Sequence, residues 1–158
     1  MQVGHSLGGA LAELDSLFMR LNLPEGTTIR GVTFGTPRVG NPAWATYFDS
    51  QIAHFTRINN KRDVVPTVPG RRFGFQHPRE EIHIQEDGSA VACPGECDPL
   101  LCAPRSRTDF KFPALLGDDD GTDPQCSDLV VPNIAIGRID DHLGPYHSIF
   151  IGTQACTP

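Results

Sequence analysis

No stretch of this chain stays apolar for the roughly 20 positions that a membrane-spanning helix needs, and no basic run interrupts a net charge of -6. The first absence argues against a transmembrane segment. The second, with an isoelectric point near 5.4, argues against nucleic acid and against electrostatic attachment to anionic bilayers, while leaving an uncharged or zwitterionic lipid surface open. Also missing from the amino terminus are the charged start and hydrophobic stretch of a signal peptide. The rest of the composition is that of an ordinary globular domain, 158 residues with 39% hydrophobic and 20% charged, which suffices for one sizeable core. Cysteine is the exception: Cys93, Cys97, Cys102 and Cys126 crowd one region and Cys156 stands alone near the end. That usage belongs to an oxidising compartment. It disagrees with the leaderless start, and a lost amino-terminal segment is the expectation that reconciles them.

Along the chain, Leu7, Ala10, Leu11, Leu14, Leu17, Phe18 and Leu21 recur at three- and four-residue steps, which predicts an amphipathic helix pressed on a sheet. Pro24 and Gly26 end it. Thr28 to Phe34 reads as a strand closed by Gly35-Thr36-Pro37, and Asn41-Pro42 reads as a cap and first-turn proline opening a helix through Trp44, Tyr47 and Phe48. A strand over Ala53 to Asn59 follows. Helix, strand, helix, strand is the alternation of a mostly parallel α/β sheet with flanking helices. Phe73 to Gln76 and Glu81 to Gln85 suggest a peripheral hairpin. From Gly88 to Asp128 the proline, glycine, cysteine and aspartate content predicts a long irregular insertion, after which Leu129 to Ile139 and Ile149 to Ile151 are apolar again.

The chemistry concentrates in Gly4-His5-Ser6-Leu7-Gly8, a GxSxG pattern in which a strained turn between strand and helix exposes a serine nucleophile. Met1, Gln2 and Val3 look too few to build the buried strand that enters such an elbow. A serine attacks an ester poorly until a histidine takes its proton, and the histidine works best when a carboxylate fixes its tautomer. Asp63, just past the second strand, lies where ligands and catalytic loops gather in open α/β sheets, and histidines follow near the end. The order serine, acid, histidine is that of α/β-hydrolases. The bland readings are that Ser6 caps a helix, with Gly4, Gly8 and Gly9 then left unexplained, and that Asp63 merely pairs with Arg62.

Four segments are more specific: Gly4 to Ala10, Phe34 to Asn41, Arg57-Ile58-Asn59 through Asp63-Val64-Val65-Pro66, and Asp141-His142-Leu143. In this order they resemble successive landmarks of the fungal class 3 lipases, over roughly the carboxyl-terminal half of that family's domain. The resemblance implies a partial α/β-hydrolase fold lacking the amino-terminal strands and lid, and an esterase acting on acylglycerols or related esters through an acyl-enzyme. It implies Ser6 as nucleophile, Asp63 as acid and His142 as base, with the Leu7 amide as one oxyanion-hole donor and the second donor upstream. His147 is a rival base, because Gly144-Pro145-Tyr146-His147 departs from the family's aromatic-rich continuation. The substrate would be a lipid or ester at a lipid–water interface, the intact parent extracellular, with no cofactor and no metal. Cys156 would match a terminal family cysteine whose partner lies near the domain's start.

Other features keep their plain readings. His54, His77 and His83 are structural, and Val64, Val65 and Val68 line either an acyl pocket or ordinary core. The cysteine cluster lacks paired CxxC spacing, so disulfides are expected over zinc, with three pairings open to its four members. Asp118 to Asp123 is a solvated acidic loop before it is a calcium site. A feruloyl-type esterase, a non-catalytic lipase remnant, and a disulfide- or metal-stapled binding module are the alternative functions.

Overall fold

The computed structural model describes residues 1–93 and 125–151. Five strands form one sheet in chain order: β1 (Gln2–His5), β2 (Gly31–Phe34), β3 (Phe55–Asn60), β4 (Glu81–Ile84) and β5 (Ala90–Cys93). The first four are parallel and β5 runs antiparallel to β4. Helices α1 (Leu7–Asn22) and α2 (Pro42–Gln51) are the crossovers between β1, β2 and β3. This is the α/β architecture that the alternation predicts, with β3 leading into Asp63 and β1 leading into Ser6.

Two strands differ from expectation. The residues before Ser6 do form a strand: Gln2 to His5 pair in register with Gly31 to Phe34. One neighbouring strand satisfies the backbone on that side, so few residues are needed, but Val3 stays 60% exposed and β1 is an edge rather than a buried strand. Glu81 to Ile84 is no peripheral hairpin with Phe73 to Gln76. It joins the sheet beside β3, and its hairpin partner is Ala90 to Cys93, inside the segment read as irregular. Val91 and Ala92 alternate across a pleat, a signal four residues long and easily masked by the neighbouring Gly88 and Pro94.

Helix α1 also turns its predicted stripe the other way. Leu7, Leu11, Leu14, Phe18 and Leu21 are exposed, while Gly9, Ala10, Ala12, Glu13 and Ser16 are buried. The reason is steric. A Cβ at Gly9 would lie 2.2 Å from Thr36 Oγ1, so at this first turn the helix backbone rides too close to the loop after β2 for a side chain. Helix α2 follows its sequence signals: the Asn41 side chain accepts from the Trp44 amide at 2.9 Å, with Pro42 in the first turn. Its Phe48 is fully buried with Ile29, Ile52 and Phe55, against which Leu17, Met19 and Trp44 pack. The Phe48 ring stacks on Trp44 and meets Phe55 edge-on, with centroids 5.3 and 5.1 Å apart.

A disulfide joins Cys93, the last residue of β5, to Cys126. It anchors the helical turn Ser127–Val130 to the sheet margin. This answers part of the cysteine question in favour of a disulfide over a zinc site. Cys97, Cys102, Cys156 and the Asp118 to Asp123 run lie outside the described residues. The apolar segment after Leu129 makes turns rather than a strand: Val131 is buried, whereas Ile134, Ile136 and Ile139 are exposed.

Candidate active site

Ser6 occupies the single residue between β1 and α1, with φ 57° and ψ −130°. A non-glycine residue rarely adopts positive φ, and holding one there costs on the order of 1–3 kcal/mol. The backbone pays this because the Ser6 amide donates to Phe34 O at 2.9 Å and the Ser6 carbonyl accepts from Gly9 and Ala10. A Cβ on Gly4 would strike Gly8 O at 2.1 Å, so strand and helix approach at bare backbone. Gly8 itself has open space around its own Cβ position, and takes part only as the backbone that Gly4 must clear. The Ser6 side chain makes no capping hydrogen bond, so the bland helix-cap reading finds no support.

Asp63 follows β3 and its carboxylate is buried. Oδ1 accepts from the Val65 amide at 2.8 Å and Oδ2 lies 2.8 Å from His142 Nδ1. A carboxylate only accepts, so Nδ1 carries the proton and Nε2 is left with a basic lone pair. The helical turn Asp140–Leu143 that carries the imidazole is fastened to the sheet. Asn60 Nδ2 donates to Asp141 O at 2.9 Å, and the Arg62 amide donates to Asp141 Oδ2 at 3.2 Å. Tyr146 adds a hydroxyl donated to His142 O at 3.3 Å. Burial first, and then the Asp63 carboxylate, push the Tyr146 phenol well above its usual range, so that hydroxyl stays protonated and a donor.

The serine and this pair are brought together through Gly35, the residue after Phe34. Its φ is +54°, and a Cβ there would sit 2.6 Å from Asp63 Oδ2 and 2.7 Å from His142 Nδ1. Gly35→Ala is therefore expected to destabilise the chain by about 1–3 kcal/mol through backbone strain and clash, and to separate Asp63 from His142. Urea denaturation reads the first effect and loss of the low-field Nδ1 proton resonance reads the second.

Of the predicted site residues, the structure thus joins Asp63 to His142 and sets both against Gly35, next to the strand end whose Phe34 carbonyl accepts from the Ser6 amide. Leu7 opens α1, where first-turn amides have no intrahelical acceptor. His147 is exposed, in the tight Tyr146–Ile149 turn. Val64 packs against the backbone at Gly137, where a Cβ would lie 2.6 Å away. The remaining histidines hold structure: ring nitrogens of His77 and His83 lie 2.8 Å from Pro66 O and 2.9 Å from Lys61 O, and His54 is exposed. A second serine–histidine–carboxylate cluster, Ser127 with His83 and Glu81, is almost fully buried. No ester could reach its hydroxyl, which instead donates to Glu81 Oε1 at 2.5 Å.

Sequence reasoning missed His5, Gly35, Asn60 and Tyr146. Only Gly35 had a signal, as the glycine of a strand-ending turn, and the others act through backbone carbonyls that no motif records.

The sequence model of the family described as Lipase (class 3) matches residues 1–73. A secreted mono- and diacylglycerol lipase of Malassezia globosa is 41% identical over 91 residues, covering 57% of this chain and 30% of the relative. Among solved structures, the lipase of Rhizopus microsporus var. chinensis superposes with a TM-score of 0.70 at 32% identity, over 94% of this chain and 43% of that one. Over its first 73 residues the chain is similar to the class 3 lipases. A further neighbour, a triacylglycerol lipase whose catalytic centre is a serine protease triad, gives a TM-score of 0.63 at 31% identity, over 91% of this chain and 46% of that one. The chain spans less than half the length of each of these relatives.

Proposed function

We propose that this chain carries the nucleophile, acid and base of a secreted lipase that hydrolyses carboxylic esters of acylglycerols, with Ser6, Asp63 and His142 in those roles. The observation that carries the reading is the buried Asp63–His142 hydrogen bond beside a serine in a forced backbone geometry. In the first half-reaction His142 Nε2 takes the proton from Ser6 Oγ as that oxygen attacks the ester carbonyl. Asp63 keeps the proton on Nδ1 and stabilises the imidazolium. The Leu7 amide donates to the developing oxyanion. The imidazolium then protonates the departing alcohol, and a water activated by the same nitrogen releases the fatty acid from Ser6.

The named lipases among the relatives support acylglycerols over feruloyl esters, and their secretion supports an extracellular parent. His142 is the base in this reading and not the exposed His147, which meets no carboxylate among the described residues. A fluorophosphonate probe is expected to form an adduct that peptide mass spectrometry maps to Ser6 and that Ser6→Ala abolishes. A folded chain that forms no such adduct would overturn the proposal. Hydrolysis of tributyrin measured beside ethyl ferulate tests the acyl class, with the triglyceride expected to be the better substrate.

A further inference from the structure

His5 stands one residue before the nucleophile, and its side chain reaches the residue proposed as base. Its Nε2 lies 2.7 Å from His142 O, and the two rings pack with centroids 4.4 Å apart at 31°. Across the same cluster the Tyr146 ring meets His5 and Phe34 edge-on, at 6.3 and 5.5 Å. Because a carbonyl can only accept, Nε2 must carry the His5 proton. We propose that His5 is a positioning residue that ties the base loop to the nucleophile strand, through a hydrogen bond to the His142 carbonyl and a ring face against the His142 imidazole.

Three features favour this over plain packing. The contact spans 137 positions of sequence, so no local turn produces it. It joins the two elements whose relative placement decides whether Ser6 and His142 can exchange a proton: Ser6 is rigidly coupled to His5 through one peptide unit, and the carbonyl belongs to His142 itself. Finally, the contact holds that turn from the nucleophile side. The Asp141 anchors come from β3 and the residues after it, and so fix the turn relative to the acid. Without His5, the turn would keep its distance to Asp63 but gain freedom relative to Ser6. An error of about 1 Å in such a geometry is enough to cost on the order of a hundredfold in rate. Burial disfavours the charged form and lowers the His5 pKa, ahead of the opposing pull of the His142 carbonyl. The ring is thus neutral and adds no positive charge beside His142.

This inference rests on the proposed roles of Ser6 and His142, and its test separates the two. The full chain is compared with His5→Phe, which keeps a ring but donates nothing, and with His5→Gln, whose amide can still donate. Two quantities are read: the rate of fluorophosphonate addition at Ser6, and the low-field Nδ1 proton of His142 in the NMR spectrum. The expected result is a fall in labelling rate of about 10- to 100-fold for His5→Phe, with recovery to within about threefold in His5→Gln and the Asp63-bonded proton present in both. Phenylalanine that labels as fast as histidine would overturn the proposal. So would glutamine that labels as slowly as phenylalanine while its resonance and melting temperature match the parent. A parent chain that shows the Nδ1 resonance but no adduct would instead sink the functional reading, leaving the His5 contact to be judged by whether His5→Phe shifts or broadens that resonance. An unaltered resonance there would overturn it as well.

Discussion

Ester turnover is expected to fall by about 10⁴- to 10⁶-fold when His142 is replaced by alanine, the range seen when a triad histidine or its carboxylate partner is disabled, and to stay nearly unchanged for His147→Ala. The contrast follows from two environments only five residues apart. His142 is buried with Nδ1 on Asp63 Oδ2, so its other nitrogen is fixed in tautomer and direction. His147 is exposed at φ 46° in a turn whose hydrogen bonds run between Tyr146 and Ile149. Asp63→Asn should resemble His142→Ala, because an amide nitrogen turned toward Nδ1 would force the proton onto Nε2 and remove the basic lone pair. Initial rates with p-nitrophenyl butyrate and melting curves on each variant check both statements. Equal losses for His142→Ala and His147→Ala, with folding intact, would show that the pair is structural.

The second large effect concerns stability. Glu13 lies on the inner face of α1, fully buried, and neither carboxylate oxygen has a hydrogen-bond partner among the described residues. Desolvation raises its pKa from 4.5 to about 8, against the pull of Arg57 and with help from Asp49. The folded chain therefore holds a proton that the unfolded chain has released between these two values. Stability is fully present below pH 4.5, declines as pH rises through the window, and levels off above pH 8. At about 1.4 kcal/mol per pH unit the decline amounts to about 5 kcal/mol. Glu13→Gln has no carboxyl to ionise, so its stability relative to the parent should improve by about that much between pH 4.5 and pH 8. Urea denaturation across this range measures the difference. A constant offset between the two proteins would mean that Glu13 titrates normally in the fold.

Much of the fold could be read from residue order alone, the pairing of Asp63 with His142 was anticipated through the family resemblance, and the reasons for the exceptions are physical. Asn41-Pro42 starts a helix because a cap and a fixed φ are local properties. The inward face of α1 could not be read in the same way. Periodicity reveals a stripe of leucines and Phe18 but not which side meets the sheet, and here the close approach at Gly4 and Gly9 turns the Gly9, Ala10 and Ala12 side inward. That inversion also brought Glu13 into the interior, which nothing in its neighbourhood announces. In β5 the pairing with β4 decides the conformation of four residues that carry little preference of their own. The position of Asp63 just past a strand was legible from the sequence, whereas its partner His142 was named only through the resemblance around Asp141 and Leu143. His5, Asn60 and Tyr146 were not, because what they grip is a main-chain oxygen that every residue possesses.

The fastening of the Asp140–Leu143 turn has a thermodynamic corollary. Asn60, the Arg62 amide, Tyr146 and His5 immobilise the backbone on either side of the imidazole, and the Asp63 carboxylate orients its ring. The conformational entropy lost in aiming that ring is surrendered once, when the polypeptide folds. In the proposed role it is not surrendered again each time a substrate arrives, because Nε2 is already aligned.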